Sequence, residues 1–198
     1  MALALTNPLL IARWLTTAPA ARRYVAGWAD ARVLHVLAPA ALQARASAVP
    51  GSVEMMERAA ACLYARRVIA ESNRDLAPVM APIRARRELR WAWLLEGGAR
   101  WFGGQTGYAR PAIARRLREG GRPSFPPGLR DAPLLGGTVI DLVAREQGER
   151  AAARLCCRLH PQGPRAALER AFGGRSLVHT EGVWRAHLAD LAGRARSD

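Results

Sequence analysis

Residues 91 to 105 read WAWLLEGGARWFGGQ, and Glu96 is the one carboxylate in that apolar and aromatic run. A carboxylate in such a setting holds a metal ion, works as an acid or base, or pairs with a cation, because burying an unpartnered charge is expensive. The other reactive side chains are scattered. His35, His160, His179 and His187 include no i,i+4 pair, and each reads as a helix-end or surface histidine rather than a ligand. Cys156 and Cys157 are neighbours without CxxC spacing, so small buried hydrophobes in a reducing compartment are expected. A nucleophilic role for either would need a histidine brought near by folding, His160 being closest in sequence. GGQTG at 103–107 is a glycine-rich turn lacking the lysine that reaches a phosphate, and it reads as a loop. Asp131 and Asp141 flank a long loop without a paired acid. No GxSxG elbow, Walker loop or GxGxxG fingerprint occurs.

WLLEGGA resembles the W-L-x-E-G-x-A run of the gluzincin metallopeptidases, the thermolysin-like superfamily, with matches at Trp93, Leu94, Glu96, Gly97 and Ala99. Downstream, GGTVIDLVAREQGERAAARL and ALERAFGGRSLVHTEGVWRAHL are similar to the closing helices of that family. The shared pattern there is A-L-x-x-A-x-G, then a glutamate three residues before W-R-x-x-L. The resemblance covers about residues 60–192. It implies that Glu96 stands at the third zinc ligand, on the helix after the one carrying H-E-x-x-H. In that motif two histidines one turn apart hold the zinc, and the glutamate takes a proton from its water. Counting back from Glu96, the best register is AESNR, with Ala70 and Arg74 at the histidine positions and Glu71 at the general-base position. RELRW at 87–91 lies too close to Glu96 for the chain to reverse. Neither stretch contains a histidine, so the resemblance implies a degenerate member with its zinc lost and no cofactor. An Arg74–Glu96 ion pair is expected to fill the former metal position, with solvent exposure or an i,i+4 pair with Arg100 as the alternatives. Trp93, Glu96, Arg100 and Arg74 are the expected binding residues.

The elements that must position these residues read as helices. Asn7-Pro8 starts one that stops before Pro19. RVLHVLAP at 32–39 is the one persuasive strand. A helix runs from Ser52 to about Ala70, and two prolines within SNRDLAPVMAP break the pattern. A second long helix is expected from about Arg84 to Phe102. Its Gly97-Gly98 pair weakens it by about 1 kcal/mol per glycine relative to alanine, which points to another backbone packed closely there. Pro111 opens a third helix ended by Gly120. The stretch 120–137 reads as a loop, long enough for a lid over a cleft between the 53–71 and 84–102 helices. TVIDLVAREQG and ERAAARLCCRL follow, divided by Gly148; PRAALERAFG is next, and Thr180 is expected to cap the last helix.

The chain has 198 residues, half of them hydrophobic, which suits a single domain over 1–198 with a real core. The expected fold is mainly α, a helical domain resembling the C-terminal half of a zinc metallopeptidase, with one or two short strands near the N-terminus. No apolar run is long enough for a membrane span. ALALTNPLLIA reads as a helix start rather than a signal peptide, so a cytoplasmic protein is expected. The formal charge is +14, from 30 basic residues, all arginine, against 16 acids. The arginines are densest at 84–90 and 110–122, and a solvated basic face or an anionic partner accounts for such an excess. The leading expectation is an inactive metallopeptidase-like protein that binds a peptide or protein in the former cleft. A metal-dependent hydrolase with unrecognised ligands and an arginine-rich nucleic-acid-binding protein are the alternatives.

Overall fold

A computed structural model describes residues 26–29, 33–73 and 89–194. The expected Asn7–Pro19 helix, the double-proline break and Arg74 lie outside the described residues. The protein is mainly helical. Strands β1 (Gly27–Ala29) and β2 (Leu34–Val36) pair antiparallel, Trp28 opposite His35. The expected strand at 32–39 is thus three residues long, because Pro39 opens helix α1 (Pro39–Gln43) instead of closing the strand.

The segment expected as one helix from Ser52 is two, α2 (Ser52–Glu57) and α3 (Ala59–Ser72), separated at Arg58. At that break the Met55 carbonyl accepts from the Gln105 side-chain amide. Then come α4 (Ala92–Phe102), a 3-10 turn at Thr106–Ala109, and α5 (Arg110–Arg118). The C-terminal part holds α6 (Ala132–Gln147), α7 (Glu149–Cys157), α8 (Pro164–Ala171) and α9 (Leu177–Arg194).

Helix α6 begins where a loop was expected, so the irregular connection ends at Asp131 rather than at residue 137. Pro133 sits in the first turn, where its missing N–H costs nothing. The connection is closed by a two-pronged ion pair: Arg116 Nε and Nη2 donate to Asp131 Oδ1 and Oδ2 at 2.8 and 2.9 Å. Thr180 is also not a cap. It is buried inside α9 and donates to the Ser176 carbonyl, while Ser176 Oγ accepts from His179 N at the helix start.

Helix α6 lies at the centre of the bundle, with Leu135, Val139, Ile140 and Val143 fully buried. It crosses α4 at two glycines. A Cβ built on Gly97 would overlap the Gly136 backbone, and one on Gly136 would overlap the Trp93 carbonyl. The expected backbone approach at the Gly97-Gly98 pair is therefore present, with its partner glycine on α6. Gly98 faces the other way, where an added Cβ would lie 2.8 Å from both Cys156 Sγ and Ile69 Cδ1.

Buried polar side chains then fix the helix ends. Asn73 Nδ2 donates to the Ile69 and Cys156 carbonyls at 2.7 and 2.8 Å, and its Oδ1 accepts from Leu159 N at 2.9 Å. One amide thus satisfies the ends of both α3 and α7, groups that their own helices leave unpaired. Trp184 Nε1 donates to Thr138 Oγ1, which itself donates to the Leu135 carbonyl. All three side-chain functions in these networks are buried and satisfied.

The two neighbouring glycines make a controlled pair. Gly97→Ala forces backbone against backbone and is expected to lose about 3 kcal/mol or more. Gly98→Ala meets only side-chain tips and regains about 1 kcal/mol of helix propensity, for a net loss below about 2 kcal/mol. Urea unfolding of the two variants checks the order; a larger loss at Gly98 would contradict the crossing described.

Candidate functional site

Glu96 points to the seam between α4 and α3, with its side chain about one-third exposed rather than sealed in the core. Among the described residues it pairs with Arg66, whose Nε lies 3.1 Å from Glu96 Oε1. The expected alternative pair with Arg100 is not formed: Arg100 Nη1 instead donates to Gln105 Oε1 at 2.7 Å. Gln105 is buried and passes the connection on to the Met55 carbonyl. The GGQTG turn therefore braces α4 against α2, and its amide is consumed by protein groups.

The second residue at this seam is Cys62, one turn before Arg66 on α3. Its sulfur packs so closely on Gly103 that no side chain could replace that glycine without displacing it. Burial pushes the Cys62 thiol up to about 11. The Arg100 and Arg58 charges pull it down, and the Glu96 carboxylate pushes it further up. Arg58 in turn lies over the Tyr108 ring, 5.2 Å from its centroid. The seam therefore collects Cys62 and Arg66 from α3 with Glu96 and Arg100 from α4.

Other residues expected at the site lie elsewhere. Glu71 is exposed and paired with Arg67 one turn back on α3, so it does not stand as a base beside Glu96. Ala70 offers no donor atom. Trp93 is 3% exposed and belongs to the core, which removes it from any binding surface. Arg74 lies outside the described residues. The expected cleft between the two helices is filled, since Gly103 meets Cys62 and Gly98 meets Ile69 across it. Nor does the 120–131 connection cover that seam. It lies on α9, with Arg185 Nη2 donating to the Pro123 carbonyl and Phe125 against the Trp184 ring, 5.2 Å between centroids.

The residues at the seam do not fit a zinc ion. A three-ligand site needs three convergent donors such as imidazole, thiolate or carboxylate, and the position opposite Glu96 holds a guanidinium, which has no lone pair to give. Among the described residues no group of three or more His, Cys, Asp and Glu comes together. Sequence reasoning missed Arg66 and Cys62. Their i,i+4 spacing was visible, but only the packing of α3 on α4 shows that they face Glu96.

A second polar cluster sits between α6 and α9. His187, expected near the surface, is 6% exposed, with Nε2 3.0 Å from Asp141 Oδ2. Arg145 Nε lies 2.9 Å from the same carboxylate, and Trp101 Nε1 is 3.4 Å from its other oxygen. Burial pushes the Asp141 carboxyl up, but His187, Arg145 and Trp101 together hold it below the usual carboxylate value. The cluster clamps α9 and α4 onto α6.

A carboxyl with a lowered pKa adds stability above its unfolded value, near 4, and loses it as pH falls through the lower folded value. Acidification from about pH 5 to 3 should therefore lower the wild-type melting temperature more steeply than that of Asp141→Asn. Parallel slopes in the two proteins would remove Asp141 as a pH-dependent clamp.

No family model, curated protein or solved structure matches the chain. No described helix is long and apolar enough to cross a membrane.

Proposed function

We propose that this protein is a non-catalytic relative of the gluzincin metallopeptidases, in which an arginine has taken the metal's place opposite Glu96. The observation that carries the reading is the Arg66–Glu96 pair across the α3–α4 seam, 3.1 Å apart. Glu96 lies on the helix that the motif resemblance assigns to the third ligand. On the preceding helix, the residues beside it are Cys62 and Arg66, one turn apart, which is the spacing of the two histidines in H-E-x-x-H. This moves the degenerate motif from 70–74 to Cys62-Leu63-Tyr64-Ala65-Arg66. Leu63 then stands where the general base would be, and an aliphatic side chain cannot accept a proton from water.

Such a protein acts by binding, and the resemblance implies a peptide or protein ligand. With the seam closed by packing, the available surface is the outer side of α3, where Tyr64 and Val68 stand exposed one turn apart. The three cysteines are all free thiols, which suits the cytoplasm.

Arg66→His tests the reading directly, because it would complete a Cys62, His and Glu96 set at the proposed position. Equilibrium dialysis with zinc should find about one ion per chain in this variant, and none when Glu96→Gln is added. Uptake should weaken as pH falls, since the raised Cys62 thiol must lose its proton. The paired control Ala70→His with Arg74→His should bind none. Stoichiometric zinc and peptide hydrolysis by the wild-type chain would overturn the proposal, as would zinc uptake by the control and not by Arg66→His.

A further inference from the structure

An open concavity of about 470 Å3 lies between α7 and α8, and none of the seam residues Cys62, Arg66, Glu96 and Arg100 lines it. Its rim carries Arg150 and Arg154 on α7, Arg158 at the residue that ends α7, and Arg170 on α8. The floor is apolar, with Leu155 and Ala167 nearly buried. None of the four guanidiniums has a carboxylate at ion-pair distance among the described residues, although arginines elsewhere on the surface do.

Helix electrostatics explain only part of this. Arg154 and Arg158 sit at the C-terminal end of α7, where a cation is favourable. Arg150 lies in the first turn of the same helix, where a cation is unfavourable. Four like charges gathered on one hollow repel one another unless an anion joins them.

We propose that this groove holds the phosphate backbone of a single-stranded nucleic acid. Residues four apart on a helix rise about 6 Å, so Arg150 and Arg154 stand one such step apart on α7, and Arg158 continues the row at the residue that ends the helix. That step is of the same order as the separation of neighbouring phosphates along a strand, and Arg170 faces the row from the other wall. Guanidiniums suit phosphate because they offer two parallel donors. The groove is lined by no tryptophan, tyrosine or phenylalanine, and the His160 imidazole is its one ring, too few for a stacking platform along a strand. Recognition therefore goes to the backbone and is indifferent to sequence. The net charge of +14 steers any such strand towards the protein.

Fluorescence anisotropy of a labelled oligouridylate with the full chain tests this, over a range of salt. Binding is expected, with log affinity falling against log salt at a slope of about −3 for four contacted phosphates. Arg154→Gln with Arg170→Gln should weaken binding at least about tenfold and flatten the slope by about 1.4, half its value. Arg118→Gln with Arg130→Gln removes the same charge outside the groove and should change affinity less than about twofold. Thermal melts of both double variants control for folding, since all four residues are exposed. Absence of binding at low salt, or equal losses in the two double variants, would overturn the assignment. Equally tight binding of a duplex of the same length would reject the single strand. Tighter binding of inorganic polyphosphate or ATP than of the strand would reject nucleic acid as the occupant.

Discussion

The crossing of α4 and α6 at Gly97 and Gly136 sets the geometry of everything else. Two helices bearing ordinary side chains pack with axes about 8–10 Å apart; here backbone meets backbone. That approach buries the facing sides of both helices, where Trp93, Leu94, Leu95, Val139, Ile140 and Val143 are sealed. It also fixes the rotation of α4. With Gly97 turned to α6, Gly98 must face α3 and α7, and Glu96 is left at the edge of the α3 seam. The position of the one carboxylate in the aromatic run thus follows from two missing side chains.

Much of the helical framework was legible because its signals are local. Pro111, Pro164 and Gly148 mark helix starts and a break through backbone chemistry alone, and the structure has α5, α8 and the α6–α7 junction there. The glycine pair announced a close approach for the same reason. The errors came where tertiary contact outweighed composition. Pro133 with Gly136-Gly137 reads as a loop, yet those residues are helical because α4 and Thr106 pack directly on the glycines. Thr180 has the right chemistry for a cap, but Ser176 lies one turn earlier and takes the role.

The candidate site was half legible. Glu96 stood out by contrast with its neighbours; Arg66 pairs with it, while the expected Arg74 lies outside the described residues. Which arginine could not be read from spacing, because Arg66 and Glu96 are thirty positions apart and meet only through helix packing. The groove on α7 and α8 escaped for the opposite reason. Its arginines are not the densest in the sequence; they gather because two helices converge, and no acid among the described residues lines the groove to neutralise them.

The exclusive use of arginine has a further physical effect. Lysine clusters relieve crowding by shedding protons, since an ammonium crowded by other cations titrates readily, whereas a guanidinium keeps its proton at any pH a cell reaches. The positive potential over this surface is therefore a fixed property of the fold. Acidity has no means of turning it off, and dissolved ions are left as the agents that regulate its reach.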